Sequence, residues 1–227
     1  MPESALIVGA GSGLSAALAR LFAKNGMRVA LAARNTDKLA ALAAEVGARV
    51  FTCDAGKRAD VEALFGAVGA PLDVVVFNPS ARARGPIADL DPDDVQRALL
   101  VTCFGGFLVG QQAARAMLAQ GHGSILFTGA SASVKGYARS APFAMGKFGL
   151  RGLAQSMARE LAPKNIHVAH FVIDGGIGRA GDPRGAERGP DGMLDPDAIA
   201  ASYLAVHRQH RSAWTWEIEL RPWLENF

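Results

Sequence analysis

Apolar positions recur along this chain in two alternating rhythms. Short runs rich in β-branched residues fall near 4–9, 27–33, 48–53, 72–78, 123–128, 166–173 and 214–220, the length and composition of strands. Between them apolar residues return every three or four positions, the spacing of a helix face. Leu14, Leu18, Leu21 and Phe22 mark one face, Leu39, Leu42 and Val46 a second, Val61, Leu64, Phe65 and Val68 a third. Two longer helical stretches follow, over about 92–119 and 142–162.

Strands alternating with helices predict a parallel sheet covered on both faces. No internal repeat and no linker divides the chain, so 1–227 reads as a single α/β domain. One segment breaks the rhythm. Residues 174–196 hold seven glycines and three prolines, too little apolar surface to bury, and read either as a mobile loop over a substrate site or as a plain surface insertion.

Composition narrows the class. A chain of 227 residues that is 50% hydrophobic and 20% charged has enough for one well-buried core. No apolar run approaches the ~20 residues that span a bilayer, and the first strand starts at Ser4, leaving no room for a signal peptide. Cys53 and Cys103 have no ligand-spaced neighbours, so no metal site is expected; as buried thiols they suit a reducing cytoplasm. The net charge of +3 comes with no dense basic run, which argues against a nucleic-acid face.

The candidate chemistry begins at Gly9-Ala10-Gly11-Ser12-Gly13-Leu14, which follows the first strand and opens the first helix. Glycines there let backbone amides approach a pyrophosphate at the positive end of a helix. The spacing fits Gly-x-x-x-Gly-x-Gly, with Ser15 where the last glycine would be. At the end of the second strand, an acidic residue that would hold a ribose hydroxyl is absent; Ala33 and then Arg34 stand there. Arg34 suits a 2′-phosphate, which favours NADP(H) over NAD(H). Asp54, at the end of the third strand, reads equally as an acceptor for the adenine amino group or as an N-cap.

With these landmarks the chain resembles the short-chain dehydrogenase/reductase family from about residue 4 to about 177. Gly9-x-x-x-Gly13, Asp54, Val76-Phe77-Asn78-Pro79-Ser80 and the 143–162 helix with Lys147 carry the resemblance. It implies a seven-stranded doubly wound Rossmann-type sheet of order 3-2-1-4-5-6-7 and an NAD(P)(H)-dependent oxidoreductase acting on a small carbonyl, alcohol or activated alkene. It also implies a homodimer or homotetramer paired through the two long helices. The cofactor-side positions it marks are Gly9, Gly11, Ser12, Gly13, Leu14, Asn78, Lys147, Gly175 and Ile177, with Arg34 and Asp54 at the adenosine end.

The catalytic positions depart from the family. Phe143 stands at its tyrosine, Ala130 at its serine and Thr102 at its helix asparagine; Lys147 alone matches. A phenol donates a proton to a carbonyl oxygen as hydride arrives, and a phenyl ring does not. The replacement donor is Tyr137 or water, with Asp174 and His167 weaker candidates; His167 is expected to point outward from its strand. The alternative is a dinucleotide-binding pseudoenzyme. Trp214, Trp216 and Trp223 read as core and interface aromatics before a cofactor box.

Overall fold

The computed structural model describes residues 2–179 and 182–225. Its strands are β1 Ser4–Val8, β2 Arg28–Ala33, β3 Arg49–Thr52, β4 Val74–Phe77, β5 Gly123–Thr128, β6 Ile166–Ile173 and β7 Glu217–Leu220. They pair in parallel throughout, in the order β3-β2-β1-β4-β5-β6-β7. This is the expected doubly wound sheet. The register sets Val8 beside both Ala32 and Phe77, so the chain leaves β1, β2 and β4 at one level. There the strand order reverses direction, the place where such sheets open a crevice.

Helices cover both faces. They are α1 Leu14–Lys24, α2 Ala40–Val46, α3 Arg58–Val68, α4 Pro92–Leu99, α5 Gly105–Gln120, α6 Ala141–Leu161, α7 Pro183–Arg188 and α8 Pro196–His207. On one face Leu18 and Phe22 of α1 join Ile199 and Tyr203 of α8 over Ile7 and Phe171. On the other, Leu64 of α3, Val109 of α5 and Leu150 of α6 lie over Val75 and Phe127. Each fully buried large aliphatic or aromatic side chain contributes about 1.5–3 kcal/mol.

The helix starts follow from local chemistry. Asp91 and Asp195 accept from the amides of Asp93 and Asp197, and Pro92 and Pro196 open α4 and α8. Such caps are typically worth ~1 kcal/mol each, and proline has no amide to leave orphaned at the first helical position. Helix α8 was not evident in the apolar pattern. The long 92–119 stretch is helical but changes pitch, because Leu100–Phe104 forms a π-helical turn between α4 and α5.

Three expectations need correction. His167 does not point outward: all eight residues of β6 are buried, its ring stacks on Trp214 at 4.7 Å, and its Nε2–H donates to the Thr215 carbonyl. A strand covered on both faces has no outward side. The last strand begins at Glu217 rather than 214, because Gln209 ties back Trp214 and Thr215 through its carbonyl and side chain. The 174–196 segment is more than a glycine loop. Asp182 caps α7, and Leu194 exchanges backbone hydrogen bonds with Gly176 and Gly178. Ala180 and Gly181, within it, lie outside the described residues.

Candidate active site

The turn after β1 is shaped for a close approach. Gly9 has φ +80°, and a Cβ there would stand 2.6 Å from the Pro79 nitrogen. The amides of Gly9 and Ala10 both donate to the Ala32 carbonyl, which fastens the turn to β2. Ser15, at the missing glycine, has its own role: its hydroxyl donates to the Gly9 carbonyl at 3.2 Å and accepts from the Asn78 side-chain amide at 2.7 Å. The serine links the glycine turn to the end of β4.

Gly13 caps α1 with no side chain over the first amides, and Cβ atoms at Gly11 and Gly13 would meet only open space. An uncapped helix start facing a cleft is a place for a phosphate. Gly9, Gly11, Gly13, Leu14, Asn78, Lys147, Gly175 and Ile177 all line this cleft of about 700 Å³. Ser12 is exposed and lines none of it.

Gly9 and Asn78 also border a second cavity, of about 390 Å³, lined by Arg34, Lys38 and Asp54. The two spaces adjoin across the glycine turn. Asp54 is no helix cap, since α3 starts after Lys57; its carboxylate accepts from the Gly56 amide at 3.0 Å. Of the two readings of Asp54, only the cavity-side one keeps a structural basis.

At the other end of the cleft lies the altered catalytic wall. Phe143 and Lys147 sit one turn apart on α6, facing Ala130. Lys147 is buried at 2% exposure. Its Nζ donates to the Thr128 carbonyl at 2.7 Å and meets no carboxylate among the described residues. Burial, with Arg82 nearby, lowers its pKa to about 7. A buried cation with no counter-charge fits an anionic or polyhydroxyl partner brought into the cleft.

Ala130 is held by its amide, which donates to Ser133 Oγ at 3.1 Å. Behind it runs a chain that starts buried and ends at the surface: Ser133 Oγ to His170 Nε2 at 3.3 Å, His170 Nδ1 to Glu217 at 3.0 Å, and Glu217 to Arg151 at 2.7 Å. Glu217 accepts only, so Nδ1 carries the proton and Nε2 accepts from the serine. Gly129 rests on this histidine; a Cβ there would fall 2.4 Å from Nε2.

Thr102 takes a structural part, its Oγ1 accepting from the Ala81 amide at 3.0 Å. Tyr137 lines the cleft and is half exposed. Asp174 does not qualify as an acid. It is 3% exposed and paired with Lys135 at 3.0 Å and Arg221 at 3.5 Å. Cys53 and Cys103 are free thiols, and burial pushes Cys53 up to about 11. Among the described residues no cluster of ligands could hold a metal ion, and no helix is long and apolar enough to cross a membrane.

Sequence reasoning missed Arg82. Its guanidinium lies 4.2 Å above the Phe143 ring centroid. The signal was available in Arg82-Ala83-Arg84, which follows the Asn78-Pro79-Ser80 landmark after Ala81.

Residues 3–177 match the model of the short chain dehydrogenase family. The chain belongs to that family. Short-chain dehydrogenases among its curated relatives include trans-4-hydroxycyclohexanecarboxylate dehydrogenase of Sinomonas cyclohexanicum, 34% identical over 72% of this chain and 68% of that one. Another is human 3-oxoacyl-[acyl-carrier-protein] reductase, 30% identical over 74% and 73%. Against these relatives the chain spans about two thirds to three quarters of their length. A solved short-chain dehydrogenase from Rhodopseudomonas palustris is 40% identical over 97% of this chain and 99% of that one, with a TM-score of 0.84. An actinorhodin polyketide ketoreductase with NADPH superposes with a TM-score of 0.89 at 25% identity, over 100% and 98%. This chain is therefore a short-chain dehydrogenase-type oxidoreductase with an NAD(P)-binding fold.

Proposed function

We propose that the protein is an NADP(H)-dependent oxidoreductase acting on a small carbonyl, alcohol or activated alkene, with its proton supplied by Tyr137 or water. The observation that carries the reading is the catalytic wall itself. Lys147 keeps its place and burial, while Phe143 and Ala130 beside it have no proton to give.

When bound, the nicotinamide supplies or accepts the hydride. The uncapped start of α1 offers its amides to the pyrophosphate, and Asp54 borders the adenine side. Arg34, with Lys38 beside it, holds the 2′-phosphate. Lys147 clamps the nicotinamide ribose hydroxyls and keeps positive charge at the reacting end. Phe143 gives the substrate an apolar wall. Tyr137, a half-exposed residue of the cleft wall, passes a proton between substrate oxygen and solvent in this reading.

NADPH should bind more tightly than NADH. A charge-assisted contact of the Arg34 kind is worth about 1.5–3 kcal/mol, hence roughly tenfold or more in affinity. Arg34→Asp should reverse the order. Equal binding of the two cofactors by the wild type, measured calorimetrically, removes the basis for the preference. A screen of NADPH consumption over ketones and enones tests the redox reading. Tight NADPH binding with no turnover on any of them would favour the pseudoenzyme.

A homodimer or homotetramer is part of the same reading. Leu108, Met117 and Leu150 of the two long helices are buried within the chain. Phe104, Phe107 and Phe148 remain more than 40% exposed, and a 560 Å³ apolar groove runs past Phe104 and Leu100. Such a face suits isologous packing. Light scattering at micromolar concentration should return a multiple of the 23.7 kDa chain; a monomer would refute it.

A further inference from the structure

We infer that the reacting end of the cleft contains an anion subsite, built on Arg82 and Arg84 with Arg184 opposite, that takes a substrate carrying a carboxylate or phosphate group. The inference rests on the oxidoreductase reading, since the subsite is defined by its place beside Phe143.

Three observations converge. Arg82 and Arg84 come from the loop after β4, and Arg184 from α7, so two separate parts of the chain bring their guanidinium groups to one cleft. Arg82 lies over the Phe143 ring at 4.2 Å, one helical turn from Lys147, which sets it at the reacting end; it also borders a cavity of about 460 Å³ that Arg34 lines. The charges around Arg82 are of its own sign. Arg84 and Arg184 both act on it as like charges, and it acts so on Lys147.

Nothing among the described residues neutralises the pair from the loop. Arg184 is bound to Asp182 at 2.6 Å, and Arg188, further along the cleft wall, to Glu225 at 3.0 Å. Arg82 and Arg84 have no carboxylate within ion-pair distance among the described residues. Neighbouring guanidinium groups repel one another, Arg82 is held partly out of water, and an oxyanion between them turns that cost into charge-assisted bonds. The planar donors suit a two-oxygen face, which carboxylate and phosphate share. An apolar ring beneath Arg82 leaves its edge donors free for that contact.

The test is calorimetric, on the full-length protein both free and loaded with NADP⁺. Each anionic probe is paired with a neutral twin: levulinate with its methyl ester, and dihydroxyacetone phosphate with dihydroxyacetone. At least one anion should bind at least tenfold more tightly than its twin, and which one does so separates a carboxylate from a phosphate ligand. Arg82→Gln and Arg84→Gln should each weaken that anion about tenfold or more, while NADPH affinity stays within a factor of two or three. Equal binding of anion and twin, or no binding of either anion, overturns the inference. A fall in NADPH affinity in Arg82→Gln that matches the fall for the anion also overturns it, by giving the arginine to the cofactor. Failure of the wild type to bind NADPH counts against the proposed function, whereas the anion arms on the free protein still judge the subsite.

Discussion

Phe143→Tyr combined with Ala130→Ser is expected to raise NADPH-dependent reduction of a simple ketone by ~10²–10⁴-fold, the usual contribution of a positioned general acid. Both positions line the cleft next to Lys147, so the new phenol would stand one turn before a buried cation that favours its ionised form. The Ala130 backbone is already fixed by Ser133, which sets the direction a serine hydroxyl would take. Assay of the single and double variants against the wild type measures the gain. If the wild type already reduces the ketone quickly, Phe143→Tyr changes nothing and Tyr137→Phe abolishes the rate, the acid has moved to Tyr137. No gain in a double variant that still binds NADPH would mean that the wall no longer has the geometry for carbonyl reduction.

The second large effect is on stability against acid. Burial pulls the pKa of His170 down to about 4, against the smaller opposing pull of Glu217. His167 and His207 are shifted in the same direction, burial again being the first cause. The folded pKa of His170 lies below its ordinary value near 6.5. In that window the unfolded chain takes up a proton that the folded chain refuses. The contribution of His170 is therefore complete above about pH 6.5 and is lost as pH falls towards 4, a loss of about 3 kcal/mol. Lys147 titrates at and above the top of this window, so its penalty is nearly constant through it. Urea denaturation at pH 7 and pH 4.5 should show the loss, and His170→Gln should lose less. A wild type equally stable at both values would contradict the account.

The strands were readable because those covered on both faces must be apolar along their whole length; their order came from the family resemblance. β1, β4 and β5 therefore stand out as runs such as Leu6-Ile7-Val8 and Val74-Val75-Val76-Phe77. The glycine turn was readable for a related reason: only a residue without Cβ fits against Pro79 at a positive φ. The same burial hid the histidines. Within Ile166-His167-Val168-Ala169-His170 a polar residue looks outward-facing, unless the partners Thr215, Ser133 and Glu217 are known. Those partners lie tens of residues away. Ser15 was visible only as a missing glycine, since its bond to Asn78 is a contact between the first turn of α1 and the distant loop after β4. Arg82 escaped notice because its significance is positional: a loop arginine becomes part of the site only when the fold lays it on Phe143.

The central claim is that the site retains its cofactor clamp after losing its phenol, and Lys147 decides it. Calorimetric titration of Lys147→Ala beside the wild type with NADPH should show binding in the wild type and at least tenfold weaker binding in the variant. Removing a buried cation that has no counter-charge among the described residues should leave the fold intact, so the loss can be assigned to the contact. Equal NADPH affinity in the two proteins, or no binding by the wild type, would contradict the account.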